Sequence, residues 1–291
     1  MYNGKNEILT PAGGDFMYRI IKVIGNNCVL VYGEENGREL ILMGKGVGFG
    51  RRPGERVREW KQPDLKEYAM IARETSALQQ VNSMEPVFIE AVAGIIDQAE
   101  KMLGKLDHGI LLPMADHIAL AVRRARENRE FPNPFHQDIK ALFEKEYLAA
   151  KEGAGLLERM TKIRLSEDEI GYITLHIHSG MSDENVADAM NLARLVQDAV
   201  HMIEEGMEKM LEKESLGYNR LLSHIRYMLA RTRKGERVNL DMDDYARSHF
   251  PKTYAIAEQI CGFLEQELNQ PIAREEVGFL AIHIQRVGQS E

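Results

Sequence analysis

Two pairs of histidines recur in this chain at one fixed offset. His117 and His176 lie 59 residues apart, as do His224 and His283, and each member of the second pair follows its counterpart by 107 residues. A histidine placed in a core by chance would not recur twice at a constant offset. Each copy therefore requires an imidazole at two positions.

The residues around the histidines recur with them. Matches at the same offset include Arg124 with Arg231, Phe143 with Phe250, Tyr147 with Tyr254, Glu169 with Glu276 and Gly171 with Gly278. Because the period is long, the pattern indicates two tandem domains of about 105 residues rather than a stack of short solenoid repeats.

Paired imidazoles suit three kinds of chemistry: metal binding, acid–base catalysis and acceptance of a phosphoryl group. His176-Ile177-His178 has metal-like spacing, but the counterpart His283-Ile284-Gln285 lacks the second histidine. Two equivalent sites on duplicated domains are typical of sensors rather than of one active site, and the sequence shows neither a P-loop nor a nucleophile elbow. We therefore expect no enzyme, no metal and no cofactor.

Phosphoryl acceptance fits the pairs better. A phosphoryl group adds about −1.5 to −2 charges and three acceptor oxygens, so at an interface it repels acids or recruits arginines. Arg124 lies seven residues after His117 on the same helical face, which is two turns away and too far to predict a direct phosphate contact. From the residues alone, a purely structural role copied by duplication stays open. We assign the histidines without a matched histidine to surfaces or packing: His108, His136, His201 and His249.

The elements that must position this chemistry divide into a basic head and an acidic body. Residues 17–58 hold eight basic and four acidic residues, a charge of +4, whereas the whole chain of 291 residues carries −8, which leaves −12 for the remainder. A small basic module on an acidic body is typical of a polyanion-binding head with a separate control unit.

The head has the pattern of a small β structure. Short β-branched runs cover 18–23, 28–32 and 39–43, and Asn36-Gly37 is a hairpin signal. The glycine-rich segment 44–50 predicts a turn and a short fourth strand, and residues 55–75 are charged and compatible with a helix. About 40 residues of β structure bury little apolar surface, so we expect the head to dimerise.

Helical periodicity dominates the body. Ile89, Val92 and Ile96 follow the spacing of an amphipathic helix, and Ser166 with Glu169 forms a capping-box pattern that places residues 172–177 inside a helix. We predict a multidomain fold, with a small antiparallel β head followed by two homologous all-α helical-bundle domains. The predicted boundaries are a disordered leader at 1–16, the head at 17–58, a linker at 59–74, and regulatory domains at 75–182 and 183–291.

The sequence leads us to expect a cytoplasmic protein. No apolar run approaches the roughly 20 residues of a membrane span, and the first 16 residues lack the pattern of a signal peptide. Cys28 and Cys261 lie in separate apolar stretches, which suggests no disulfide framework.

These motifs resemble those of the bacterial transcriptional antiterminators of the β-glucoside, sucrose and glucose sugar-uptake systems. The resemblance covers about residues 17–288. It rests on Tyr18-Arg19-Ile20-Ile21-Lys22-Val23, Asn26-Asn27 and the run 39–49 in the head, and on the four histidine motifs in the body. The sequence from His176 to Ser179 is slightly more similar to that of glucose-system members.

The resemblance implies that the head binds, as a dimer, an RNA hairpin in the leader of a sugar-utilisation transcript and so blocks an overlapping terminator. It assigns the RNA surface to Lys22, Asn26, Asn27, Gly44, Lys45 and Phe49. Lysines suit phosphates, amides suit base edges and an exposed phenyl ring suits stacking. From the residues alone, Phe49 could equally belong to the core and the asparagines to a turn. Gly25 departs from the family, which commonly has Asn there, and this puts the operator preference in doubt.

The resemblance also implies phosphorylation of His117, His176, His224 and His283. In the family, the sugar-specific enzyme II permease component modifies the first regulatory domain and represses activity, and the phosphocarrier protein HPr often modifies the second. Two alternatives remain: a head that binds DNA or a protein, although no helix-turn-helix is evident in it, and a metal-dependent enzyme using His176 and His178.

Overall fold

The computed structural model describes residues 18–35, 37–60, 64–69, 77–129, 131–213, 215–236, 238 and 240–289. The predicted leader at 1–16, Asn36 of the hairpin, and residues 61–63 and 70–74 of the predicted linker lie outside them.

The described head is one antiparallel sheet in the order β4-β1-β2-β3-β5. The strands are β1 Tyr18–Gly25, β2 Cys28–Gly33, β3 Arg38–Met43, β4 Arg56–Val57 and β5 Lys66–Ala69. Three of them coincide with the β-branched runs, and Gly37 takes the positive φ of 63° that the β2–β3 hairpin requires.

Two expectations for the head are wrong. The glycine-rich segment 44–50 contains turns but no strand, because Gly46 and Gly50 adopt positive φ, which a strand does not accommodate. The charged segment after residue 55 supplies β4 and β5 rather than a helix. β5 lies within the predicted linker and pairs with β3, so this part of the linker belongs to the sheet.

Both faces of the sheet are covered within the one chain. Ile24, Leu30 and Ile41 join a core with Phe88 and Ile89 of the first helical domain. On the other face, Ile20, Val31 and Leu42 pack with Val47 and Trp60 from the segment that follows β3. The helical neighbour therefore adds to the core of the head, and dimerisation of the head stays a prediction.

Six described helices and one 3₁₀ turn follow the sheet. They are α1 Ala77–Ser83, α2 Pro86–Leu103, a 3₁₀ turn at His108–Ile110, α3 Leu111–Arg126, α4 His136–Leu142, α5 Glu144–Thr161 and α6 Glu167–Met181. The predicted apolar stripe of α2, including Ile89, Val92 and Ile96, is fully buried. Residues 172–177 lie inside α6 as predicted. Ser166 caps that helix through Glu169 N, but Glu169 turns its side chain elsewhere.

The second domain repeats this arrangement. Its helices are α7 Val186–Met207, α8 Leu216–Lys234, α9 Asp243–His249, α10 Pro251–Leu268 and α11 Arg274–Gly288. α4, α5 and α6 recur 107 residues later as α9, α10 and α11 with both ends matching. The fold class predicted from the sequence, a small antiparallel β head and two homologous helical domains, is confirmed.

None of the helices in the described part of the chain combines the length and the apolar character that crossing a bilayer requires.

Candidate functional site

Equivalent helices bring each histidine pair together. α3 carries His117 and α6 carries His176, and their ring centroids lie 5.5 Å apart at 45°. In the second domain, α8 and α11 place the rings of His224 and His283 4.4 Å apart and stacked at 22°. Residues 59 positions apart in sequence thus form one cluster in each domain.

A buried glutamate sits beside the first histidine of the first pair. Glu169 on α6 is only 3% exposed, and Arg124 on α3 donates to its Oε1 from Nη2 at 2.5 Å and from Nε at 3.2 Å. His117 Nε2 lies 3.0 Å from Glu169 Oε2, at an approach too oblique for a hydrogen bond. Glu169 therefore couples the arginine to the histidine, and its carboxylate holds the Arg124 guanidinium.

The second domain has the same three residue types, but its arginine contacts both oxygens of the glutamate. Arg231 forms a fork on Glu276, with Nε 2.7 Å from Oε1 and Nη2 2.9 Å from Oε2. Because the arginine occupies both oxygens, His224 Nε2 stays 4.0 Å away and has no hydrogen-bond partner among the described residues.

These surroundings set the charge of the groups. Burial opposes ionisation of Glu169, but contacts with His117 and Arg124 outweigh it and hold the pKa of this carboxyl below its usual value. Burial, followed by His283 and Arg231, lowers the pKa of His224 to about 3. Burial, followed by Arg286 and Arg220, also lowers the pKa of His283. The second pair is therefore neutral at pH 7, the form in which an imidazole nitrogen is nucleophilic.

Both pairs border surface cavities. His176 lines one of 720 Å³ together with Asp107, Asp183 and Glu184. His283 lines two cavities of 380 and 320 Å³, and Arg220 borders both of them. Each pair therefore has at least one imidazole that borders a surface cavity.

His178, which the sequence comparison separated from the repeated pattern, has a different environment. It is buried against the ring of Phe143 and lies 3.0 Å from Glu146 and 3.5 Å from Glu184. His176 and His178 are two residues apart on α6, a spacing that points their side chains in different directions.

The unmatched histidines have the surface and packing roles that we predicted. His108 joins β5 to the first domain by contacts with Glu67 and Glu100, and His136 packs edge-on against Tyr147. His201 and His249 are exposed.

Glu169 and Glu276 are the site residues that sequence reasoning did not select. Their recurrence at the histidine offset was visible, but the capping-box pattern gave Glu169 a local explanation. Only the packing of α6 on α3 shows that the side chain reaches across to Arg124 and His117.

Five of the six predicted RNA-binding residues lie together at one end of the head. The β1–β2 turn is held to the glycine-rich turn by hydrogen bonds from Gly44 N to Asn27 O at 3.0 Å and from Gly48 N to Asn26 O at 2.9 Å. Lys45 and both asparagines are exposed, and Phe49 is 75% exposed rather than part of the core. Asn27 Oδ1 also accepts from Gly46 N at 2.8 Å, so this amide holds the turn as well.

Lys22 directs its ammonium group to the first helical domain instead. Its Nζ donates to Val81 O at 3.2 Å and to Asn82 Oδ1 at 2.7 Å, at the last turn of α1. Gly25 lies near the same helical domain, because a Cβ there would approach Glu90 Oε1 to 2.7 Å. An Asn at position 25, as is common in the resembling family, would require Glu90 to move.

Comparison with known families gives two matches. Residues 18–71 match the CAT RNA binding domain, and residues 93–180 and 197–287 each match the PRD domain. The two PRD matches contain the two histidine pairs, one pair each.

Curated relatives are similar over almost the whole chain. The beta-glucoside operon antiterminator of Dickeya chrysanthemi is 27% identical over 277 residues, which span 92% of this chain and 96% of that protein. The GlcA/glcB genes antiterminator of Staphylococcus carnosus is 27% identical over 280 residues, or 94% and 96%. The transcription antiterminator LicT of Bacillus subtilis is 27% identical over 275 residues, or 92% and 98%.

Proposed function

The chain belongs to the family of regulators in which a CAT RNA-binding domain precedes two PRD domains, and from this premise we propose that one end of its head holds a leader-RNA hairpin. It is an RNA-binding transcriptional antiterminator, and phosphorylation by the phosphotransferase system controls its activity. The genes it serves encode sugar uptake, and its similarity to the GlcA/glcB genes antiterminator is consistent with a glucose-type system.

The observation that carries this proposal is the duplicated histidine cluster. In each domain two helices bring two distant histidines together and add one Arg–Glu pair, in the same arrangement. Duplication copies sequence whether or not it is useful, but both clusters also border a surface cavity. Structural histidines do not need that access, whereas phosphoryl acceptors do.

The RNA surface consists of Asn26, Asn27, Gly44, Lys45 and Phe49. An exposed phenyl ring offers a stacking platform to an unpaired base, and Asn26 offers an amide to base edges. Lys45 supplies a phosphate contact. Lys22 joins this surface only after it leaves Val81 and Asn82 at the end of α1.

His117, His176, His224 and His283 are the phosphoryl acceptors in this proposal. A sugar-specific enzyme II component modifies the first pair and represses the protein, and the phosphocarrier HPr modifies the second pair. The active form is a homodimer. Support for the acceptor role comes from the cavities beside each pair and from the neutral state of His224 and His283.

RNA binding is tested with the whole chain. A labelled leader hairpin is titrated at several salt concentrations, with duplex DNA of the same length as competitor. We expect affinity for the hairpin to fall steeply with salt, because each neutralised phosphate releases counterions. Phe49→Ala should cost about 1–3 kcal/mol of binding free energy, and Lys45→Ala should reduce the salt slope by about one contact.

Arg38→Ala serves as the matched control, since Arg38 is exposed at the opposite end of β3. An equal loss of RNA affinity in this control would contradict the assignment of the RNA surface to the other end of the head. Tighter binding to duplex DNA than to every leader hairpin tested would favour the alternative in which the head binds DNA.

Phosphorylation is tested by incubation with phosphoenolpyruvate, the general phosphotransferase proteins and one permease domain at a time. Acid-labile label should be found on the four paired histidines, whereas His178 and His201 should carry none. Label on the unpaired histidines alone would contradict the assignment.

A further inference from the structure

The two histidine clusters differ in charge although their helices match. Arg220 and Arg286 border the second cluster, and the first domain has Pro113 and Ser179 at the corresponding positions. The cavity beside His176 contains Asp107, and no lysine or arginine is among the described residues that line it. The duplicated pairs are therefore chemically unequal.

The second cluster has the features of an anion site. Arg220 and His283 line both adjoining cavities, Arg286 lines one of them, and Glu212 is the single acid on either described lining. Arg220 stands one turn before His224 on α8, and Arg286 stands one turn after His283 on α11. Two guanidiniums from two helices thus converge on the histidine pair.

A buried polar atom beside these arginines supports a ligand at this place. The His224 side chain is only 10% exposed, and its Nε2 has no hydrogen-bond partner among the described residues. Unpaired buried nitrogens are costly. His283 stacks directly on this ring, so a group carried by His283 would lie next to it.

In the first cluster His117 Nε2 likewise has no hydrogen-bond partner among the described residues, but no guanidinium lines the cavity beside that cluster. The arginine of this cluster is Arg124, the counterpart of Arg231, and it is paired with Glu169. Asp183 and Glu184 line the cavity instead. A dianion placed on His176 would face carboxylates rather than guanidiniums, and like charges at short distance repel each other.

We propose that Arg220 and Arg286 bind the phosphoryl group carried by His283, so that phosphate is held more tightly on the second domain than on the first. The inference rests on the proposed function and adds two positioning residues to it. Arginine suits this role because its planar fork presents paired donors to phosphate oxygens.

The transfer step is balanced in atoms and charge. The lone-pair nitrogen of neutral His283 attacks the phosphorus of a phosphohistidine on the donor protein. The donor's N–P bond breaks as the new N–P bond forms, and the donor ring nitrogen keeps the electron pair. The remaining N–H proton of His283 is released, and the donor imidazole takes up one proton. Arg220 and Arg286 transfer nothing and act only on the phosphate oxygens.

The equilibrium of this transfer is the test. The whole chain is mixed with a fixed amount of labelled HPr phosphocarrier in the absence of phosphoenolpyruvate. After equilibration, the label on the carrier and on each histidine pair is quantified by alkaline peptide mapping. We expect Arg220→Gln with Arg286→Gln to lower the ratio of labelled second pair to labelled carrier about fivefold or more, the loss expected for charge-assisted hydrogen bonds. The enzyme II component, the proposed donor to the first pair, is left out, so the first pair should carry no label in either protein.

Three controls separate the outcomes. Arg194→Gln removes a surface arginine of the same domain that pairs with Asp198 and Glu267, and it should leave the ratio unchanged. Arg220→Lys with Arg286→Lys keeps both charges and should retain most of the ratio. Unchanged thermal unfolding of each variant excludes a folding defect as the cause.

The readings are distinct. If the Gln variants reach the same equilibrium more slowly, the arginines dock the donor and the inference is overturned. If they reach it unchanged at the same rate, the inference is also overturned while the proposed function stands. If the second pair of the unsubstituted chain takes no label, the proposed function fails for this domain and the inference with it.

A gain of function gives an independent check. Pro113→Arg with Ser179→Arg installs the missing arginines beside His176. With a labelled sugar-specific enzyme II component as the donor, these substitutions should raise the ratio of labelled first pair to labelled donor. No rise, in a variant whose thermal unfolding is intact, would contradict the proposal.

Discussion

Glu169 and Glu276 show how a single carboxylate organises each cluster. Both are only 3% exposed and both pair with an arginine from the neighbouring helix. A buried carboxylate is stable only when such partners compensate its lost hydration. The pair therefore fixes the spacing of α3 to α6, and of α8 to α11, at the place where the histidines meet.

Replacing Glu169 by Gln tests this role. The amide keeps the shape but leaves Arg124 without its counter-charge, so we expect the free energy of unfolding to fall by about 2 kcal/mol, less than for a fully buried pair because Arg124 is partly exposed. Urea denaturation measures the change. Glu127→Gln, which removes the partner of the exposed Arg123, should cost under about 0.5 kcal/mol. Equal effects in the two variants would contradict a structural role for Glu169.

His224 makes the second domain sensitive to acid. Its pKa is about 3 in the folded protein, well below the ordinary value of 6.5. Between these values the unfolded chain binds a proton that the folded chain does not, so stability is full above pH 6.5 and falls as pH drops. The slope is at most about 1.4 kcal/mol per pH unit.

Denaturation at pH 7 and pH 5 checks this expectation. In His224→Gln, the difference in the free energy of unfolding between pH 7 and pH 5 should shrink by up to about 2 kcal/mol. In His201→Gln, a substitution at an exposed position, this difference should be unchanged. The same pH dependence in all three proteins would show that other groups cause it.

At the scale of elements, the matched glycines of α6 and α11 face different neighbours. A Cβ on Gly278 would lie 2.8 Å from Asp243 N and 2.9 Å from Met242 C, which are backbone atoms at the start of α9. A Cβ on Gly171 would meet side chains at ordinary contact distances, with Asn133 Nδ2 at 3.4 Å, His136 Nδ1 at 3.7 Å and Ile139 Cδ1 at 4.0 Å. α11 therefore packs directly on the backbone of α9, and α6 does not approach α4 so closely.

This difference predicts opposite effects for one substitution. Gly278→Ala should destabilise the protein by about 1–3 kcal/mol, because the backbone at Asp243 must shift. Gly171→Ala should be neutral or stabilising by up to about 1 kcal/mol, because Ala favours the helix. Thermal unfolding of the two variants measures these effects. Destabilisation at both positions would contradict the difference in packing.

For the whole molecule, the contact between the two helical domains is both apolar and polar. Arg226 donates to Leu142 O at 2.9 Å and lies over the Phe143 ring. Arg233 donates to Glu184 at 2.9 Å, and Glu184 lies 3.5 Å from His178. The core of the second domain also includes Phe143. These contacts join the two helical domains.

Arg226→Ala should weaken this interface. We expect faster hydrogen exchange in α4 and around Glu184, and a thermal unfolding transition that broadens or separates into two, because each domain keeps its own core. Arg123→Ala, at a position 75% exposed on the first domain, is the control. An unchanged single transition in Arg226→Ala would show that the apolar contacts alone join the domains.

The sequence by itself determined the two histidine pairs, the duplication, the helical body and the β head. These follow from spacing and periodicity, which are local or strictly repeated properties. It did not identify β5, since Lys66–Ala69 has no apolar run and forms a strand because β3 offers it an open edge.

Tertiary structure alone decided what surrounds each histidine. Glu169 turns to Arg124 and His117, Lys22 reaches the end of α1, and two arginines meet beside His283. Each of these contacts joins residues from different elements, and a pattern along the chain does not specify the distances between elements. The repeat therefore predicted two equal sites, whereas the packing of dissimilar neighbours gives one site bordered by carboxylates and one bordered by guanidiniums.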